Sequence, residues 1–265
     1  MGMRYFFVFL FSFTVCLFLS TCGSGVNDRP LKNTTGNRAQ RDTLKNPCTE
    51  FNTLYINIRD GLIKKADAKK KLVEILNKIS TYYTEKGGKI YNKREWVFPI
   101  QGYNAKAIGG SNGNGYSSVE YDFFDGNKHK GHPAQDIFIN DLNQDCIDDR
   151  TLLPVNILSM TGGIVVACES QWNSDSPLRG GRYILVFDPG EKSFIYYAHN
   201  NKLFVNVGDV LKPGDKIAEM GRSGLNAYKK RSPTHLHLMY LNTDQNGDVS
   251  PINIFSDLLK LKPIP

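Results

Sequence analysis

The sequence predicts a mainly β protein, an antiparallel β-sheet domain preceded by a small α-helical segment. Three observations predict it. From Thr49 to about Lys86 the apolar residues Leu62, Ala66, Val73, Leu76, Ile79 and Tyr83 recur at helical intervals, with lysines between them. After Trp96 the texture changes to short runs of β-branched and aromatic residues separated by Gly, Asn, Pro and Asp. The chain is 265 residues long, 40% hydrophobic and 22% charged, which supplies one sizeable core and excludes disorder or collagen-like repetition.

Taken in order, residues 5–19 (YFFVFLFSFTVCLFL) are almost wholly apolar, follow a lone Arg4 and stop at Ser20-Thr21-Cys22. A membrane-spanning helix needs about 20 apolar residues, so this shorter run reads as a signal peptide over residues 1–21. The tetrad LSTC (19–22) resembles a bacterial lipobox, which implies lipidation of Cys22. Removal of the signal takes away only Arg4, leaving +6 of the full chain's +7. Residues 22–47 lack periodicity and are rich in Gly, Asn, Thr and charge, the composition of a flexible tether.

Residues 48–90 are expected to form two helices that break near Asp60-Gly61 and end at Gly87-Gly88. The cluster Lys64, Lys65, Lys69, Lys70 and Lys71 reads as a solvated helix face rather than a polymer-binding patch. Strands are expected at 136–140, 163–168, 183–187, 194–198 and 236–241. DPGEKS (188–193) is a hairpin connection, and 208–221 forms two short extended pieces about a Pro-Gly turn. A short closing helix follows within 251–261, with residues 256–265 taken as the C-terminal tail. Of five cysteines, Cys48, Cys146 and Cys168 remain once Cys16 and Cys22 are set aside. With no CxxC present, they read as small buried hydrophobes or as one Cys146–Cys168 bridge.

Four of the five histidines fall into three groups within the β-rich region: His132 with Asp136, His199 after a strand, and His235 with His237. The pair in THLHLMY (234–240) is two residues apart, so a strand's period places both on one face, where they require hydrogen-bond partners or a metal. HxxxD in GHPAQDIF (131–138) adds a nitrogen and a carboxylate. Two histidines and one carboxylate leave a position open for water, the pattern of a catalytic zinc site, although the same donors suit non-haem iron. Two other stretches invite ligand readings. DLNQDCIDD (141–149) has Cys146 at the position an EF-hand needs as Gly and reads as an acidic surface loop. IGGSNGNGY (108–116) lacks the Lys-Ser/Thr of a phosphate loop and reads as a mobile loop beside the cleft.

Together GHPAQD (131–136), YYAH (196–199), GDVLKPGDKIAEMGRSG (208–224) and THLHL (234–238) resemble the LytM or lysostaphin-like metallopeptidases of the M23 family, in family order. Ser223-Gly224 and the WVFPI stretch (96–100) fit as well, so the resemblance covers about residues 96–255 and leaves the helical segment outside. It implies a duplicated hybrid motif-like catalytic fold. It also implies one Zn2+ per chain held by His132, Asp136 and His237, with His199 and His235 as the catalytic histidines. The activity it implies is hydrolysis of peptide bonds in peptidoglycan stem peptides or cross-links, a D-alanyl to diaminopimelate link or a glycyl bridge. The alternative is a non-catalytic wall-binding activator of another peptidoglycan hydrolase, but all five expected positions are filled.

The net charge of +7 suits nucleic acid, anionic lipid and cell wall alike. With the signal and the resemblance, the expected partners are peptidoglycan, a membrane through lipid on Cys22, and other cell wall enzymes, with no nucleic acid. The expected location is exported: a lipoprotein facing the periplasm, at the outer membrane by its Gly23, or a secreted protein.

Overall fold

Pro47 opens the first helix because the side chain of Asn46 accepts a hydrogen bond from the Cys48 amide (3.0 Å), and proline loses nothing at a helix's first position. The computed structural model describes residues 46–265, so the signal, Cys22 and nearly all of the tether lie outside the described residues. Helix α1 (Pro47–Arg59) buries Cys48, Phe51, Leu54 and Ile58, and α2 (Lys65–Glu85) follows a turn at Asp60-Gly61. The buried stripe of α2 is Ala68, Leu72, Ile75, Leu76, Ile79, Tyr82 and Tyr83. The sequence pattern had offered Leu62, Ala66 and Val73, but Leu62 is 72% exposed in the turn and Ala66 faces solvent. Both registers share Leu76, Ile79 and Tyr83, so only packing against the sheet decides between them.

The strands are β1 (Gln135–Phe138), β2 (Ile147–Asp148), β3 (Leu153–Pro154), β4 (Asn156–Leu158), β5 (Gly163–Glu169) and β6 (Tyr183–Asp188). After these come β7 (Ser193–Ala198), β8 (Lys202–Leu203), β9 (Val210–Leu211), β10 (Lys216–Glu219), β11 (His235–Thr243) and β12 (Val249–Pro251). The principal sheet is antiparallel in the order β1-β11-β7-β6-β5-β9, with β12 also on β11, while β4-β10-β8 and β2-β3 form smaller sheets. The closing helix is only α3 (Phe255–Leu258), because Pro251 belongs to β12.

Both faces of the principal sheet are covered, which is why β6 and β7 are buried along their whole length. Tyr183, Leu185, Phe194, Tyr196, Met239 and Leu241 share one apolar cluster with α1 and α2. Ile184, Val186, Ile195, Tyr197, Leu236 and Leu238 point the other way, into a second cluster with Trp96, Phe98 and Ile157. The final residues are pinned, since Lys262 and Ile264 accept backbone bonds from Phe98 (3.0 Å) and Gly102 (2.8 Å).

Two sequence expectations are corrected. Cys48, Cys146 and Cys168 are all free thiols. Cys168 lies in β5, whereas Cys146 lies in the loop ahead of β2, outside the principal sheet. The 141–149 stretch is not simply an acidic surface loop, because Asp141 and Asp148 are buried. Asp141 accepts from the amides of Asp145 (3.0 Å) and Cys146 (2.9 Å) and from the Thr234 hydroxyl (2.6 Å). Asp148 is paired with Arg150 at 2.8 Å.

Candidate active site

Strand pairing brings the first residues together. In the register of β1 with β11, Asp136 lies opposite His237 and Phe138 opposite His235, while β7 places Ala198 opposite His237. His235 and His237 alternate with Leu236 and Leu238, so both project from the sheet face that the helices cover, beyond the reach of their apolar packing. His237 Nδ1 is 3.1 Å from Asp136 Oδ1, and His235 Nε2 is 3.8 Å from Asp136 Oδ2.

His132 and His199 come from loops. His132 is paired with Ser117 by two backbone bonds (2.8 and 2.7 Å), and its Nδ1 faces the Gly115 carbonyl at 2.8 Å. A carbonyl can only accept, so Nδ1 carries the proton and Nε2 is directed at Asp136 Oδ2, 3.2 Å away. The glycine-rich loop flagged in the sequence therefore supports a donor through Gly115. His199 follows the end of β7 with φ +68°, a left-handed conformation that is rare for a non-glycine residue and typical of functional sites. Its Nδ1 donates to the Ser223 carbonyl at 2.7 Å, and His235 Nδ1 donates to Pro233 at 2.7 Å. Both rings thus keep Nε2 unprotonated when neutral.

All five predicted residues converge. One donor atom each from His132, Asp136 and His237 lie within 4.8 Å of one another. The His199 ring is 4.8 Å from His235 and 5.5 Å from His237. Two imidazole nitrogens and a carboxylate oxygen facing one point, with one ligand ring held by a carbonyl behind it, fit a zinc ion with an open position.

The electrostatics agree with that fit. Burial opposes ionisation of Asp136, yet hydrogen bonds from His132 and His237 outweigh it and hold the carboxyl well below the usual range. The Asp136 hydrogen bond raises His132 against the effect of burial. Burial, with the neighbouring imidazoles of His235 and His237, pushes His199 well below the ordinary histidine value. Burial also lowers His237, outweighing its carboxylate partner, so it is poised as a neutral ligand.

These groups open into a cleft of about 490 Å³. Residues 148–250 match the family model "Peptidase family M23". Over those residues the chain resembles that family. The fold resembles a Ruminococcus gnavus ATCC 29149 chain assigned as a glycyl-glycine endopeptidase lytM, with 22% identity and a TM-score of 0.43 over 65% of each chain. It also resembles the catalytic domain of lysostaphin from Staphylococcus simulans, an antimicrobial peptidase. There the identity is 21% and the TM-score 0.35, over 51% of this chain and 80% of that one. A zinc containing peptidase from Vibrio cholerae gives 18% identity and a TM-score of 0.38, over 67% of this chain and 41% of that one. The chain thus spans less than two thirds of the length of the Ruminococcus and Vibrio chains.

The family match begins after His132 and Asp136; the register of β1 on β11 brings Asp136 to His237, while the backbone pairing with Ser117 holds His132. Sequence reasoning gave no role to four features. Ser223 offers its carbonyl to His199, while its hydroxyl accepts from the Arg182 amide (2.8 Å) and donates to the Asn200 carbonyl (2.8 Å). A Cβ on Gly224 would lie 2.3 Å from the Arg179 carbonyl and 2.9 Å from His199 Nδ1. His129, the fifth histidine, lines the cleft with its ring 5.0 Å from Tyr121. Helix α1, outside the family match, contributes Tyr55, Ile58 and Arg59 to the same cleft. Only the Ser-Gly pair ahead of HxH carried a visible signal; the other contacts are long-range.

Proposed function

We propose that this chain is an M23-type, zinc-dependent endopeptidase, with one ion per chain, that hydrolyses peptide bonds in peptidoglycan stem peptides or cross-links. One observation carries the reading. Beyond the three-donor group, His199 and His235 face each other at 4.8 Å, each with Nδ1 committed to a carbonyl and Nε2 left for chemistry.

His132, Asp136 and His237 would hold the ion. Bound Zn2+ supplies Lewis acidity toward a scissile carbonyl and acidifies water to near neutral pH. The histidine pair does the rest. A neutral imidazole accepts the proton of the attacking water on Nε2 and returns it to the leaving amine. The protonated partner donates from Nε2 to the developing oxyanion, an interaction of roughly 3 kcal/mol at comparable sites. The left-handed backbone at His199 and the Ser223 carbonyl fix the ring in place before substrate arrives.

The substrate assignment draws on the signal-like residues 1–21 and on LSTC (19–22), which support export and lipidation of Cys22, and on the family. The proposed setting is the exported face of a bacterial envelope, alongside other cell wall enzymes. The test is release of soluble muropeptides from purified peptidoglycan by zinc-loaded residues 23–265, with His237→Ala in parallel. Release by the wild type alone, read by mass, identifies the bond cut. No release from several wall chemistries by folded, zinc-replete protein would overturn the reading and favour an activator of another hydrolase.

A further inference from the structure

Among the described residues lining the cleft, one carboxylate, Asp136, stands against three arginines. The balance of charge inside it is positive. Asp136 is committed to His132 at 3.2 Å and to His237 at 3.1 Å, within the donor group. Arg59 is neutralised by Asp60 at 2.7 Å and by Glu169 at 3.3 Å. Arg179 and Arg231 have no carboxylate partner among the described residues.

Both stand on loops that are fixed from behind. The Arg179 amide donates to Asn127 Oδ1 at 3.1 Å, and its Nη1 donates to the His129 carbonyl. One carbonyl leaves most of the guanidinium's N–H groups unused. A Cβ on Gly224, 2.9 Å from His199 Nδ1, would lie 2.3 Å from the Arg179 carbonyl, which sets this residue beside the histidine pair. The Asp136 hydrogen bond raises His132 and the charge of Arg179 opposes that rise, so the field of Arg179 reaches a metal donor. Arg231 lies two residues before Pro233, whose carbonyl orients His235. Its loop is held through backbone carbonyls: those of Lys229 and Ser232 accept from Arg222 at 2.8 and 3.0 Å, and that of Lys230 accepts from Gln144 at 2.9 Å. None of these bonds uses the Arg231 side chain, which is exposed and lines the cleft.

A half-buried arginine without a counter-charge is costly, and an incoming carboxylate relieves that cost while forming paired, charge-assisted hydrogen bonds. A side-chain amide brings one acceptor oxygen and no charge. We propose that Arg179 and Arg231 form a specificity-determining subsite that receives a side-chain carboxylate of the bound peptide. The carboxylate is placed on a side chain because an endopeptidase's substrate continues past the reacting bond in both directions. That the ligand is a peptide rests on the peptidase reading; the anion selectivity rests on the arginines.

The test is a ligand-observed magnetic resonance titration of the zinc-loaded, full-length chain. The probes are N-acetyl-glutamate methylamide and its glutamine counterpart, which differ only by carboxylate against amide. The glutamate probe is expected to bind at least about tenfold more tightly, the worth of a hydrogen bond to a charged group, and the difference should shrink as salt is added. Arg179→Gln and Arg231→Gln should each cut that preference by about three- to tenfold, the half-buried Arg179 more than the exposed Arg231, and together abolish it. Arg179→Lys, which keeps the charge, should retain most of it. Equal binding of the two probes, or no binding of either, would overturn the subsite. A preference that persists in the double variant would put the carboxylate on the metal and overturn it as well. An equal loss in Arg179→Lys and Arg179→Gln would reduce Arg179 to a support for the His129 loop. Tighter binding of N-acetylglutamine, whose carboxylate is terminal, would overturn the assignment to a side chain. Muropeptide release by the wild type reads the peptidase assignment separately, so each can fail without the other.

Discussion

Asp136, His235 and His237 stand on paired strands, whereas His132 and His199 stand on loops, and different physics positions the two groups. The strand group is placed by register, which sets Asp136 against His237 and Phe138 against His235, with both histidines on one face. A slip of one residue would turn the whole set away from the cleft. The loop group is held by single hydrogen bonds to the carbonyls of Gly115 and Ser223 and by an unusual backbone angle at His199. The difference teaches that the strand residues should tolerate perturbation of their surroundings, while the loop residues depend on one or two contacts each.

The largest effect should come from the donors themselves. Asp136→Ala and His237→Ala are expected to lose bound zinc and reduce cleavage to background, read by metal analysis alongside muropeptide release. Retained stoichiometric zinc in either variant would break the assignment of donors. Next comes the support of the loop group. Gly224→Ala sets a methyl against the Arg179 carbonyl at a φ of +117° and against His199 Nδ1. It should cost about 10- to 100-fold in kcat while zinc content stays unchanged. A comparable loss of zinc would mean that the loop and strand groups are not separately held.

The strand group should show its dependence as stability. Thr234, next to His235, donates its hydroxyl to buried Asp141 at 2.6 Å. Thr234→Val removes that donor and is expected to destabilise by about 1–3 kcal/mol in chemical denaturation. A pH effect sharpens the comparison further. His199 and His237 have folded-state values below the ordinary 6.5, so the unfolded chain binds more protons just below that pH. The metal-free protein should therefore lose stability as pH falls below about 6.5. His132, raised above 6.5, acts in the opposite sense and offsets part of the loss. Melting temperatures in chelator should fall between about pH 7 and 5.5, and His199→Gln should flatten the slope. A rise on acidification would contradict the burial assigned to His199. The smallest effect lies on α2, where Lys69 pairs with Asp248 at 2.7 Å. Lys69→Ala should cost at most about 1 kcal/mol, and Lys70→Ala, on an exposed position, should cost less.

The residues themselves announced a good part of this. HxH within an apolar run, HxxxD beside a proline and a lone His after a strand were legible because each motif is local and strand periodicity fixes its direction. The five principal strands of the sequence reading recur within one or two residues, because Gly, Pro and Asp bound them. The buried stripe of α2 was misread at Leu62, Ala66 and Val73, since two helical registers share half their residues and only the sheet selects one. Asp141 looked like surface because its partners, Thr234 and the amides of Asp145 and Cys146, become visible only once the loop is folded. The approach of α1 to the cleft is a tertiary contact between residues more than a hundred positions apart, as in Arg59 with Glu169, and no local pattern encodes it.

The central claim is that three residues hold the ion while His199 and His235 remain free for proton transfer. The most direct test is His235→Ala, with zinc content and muropeptide release measured on the same preparation beside the wild type. The account predicts zinc retained at one per chain with release lost. Release at the wild-type rate, or loss of the zinc along with the histidine, would contradict it.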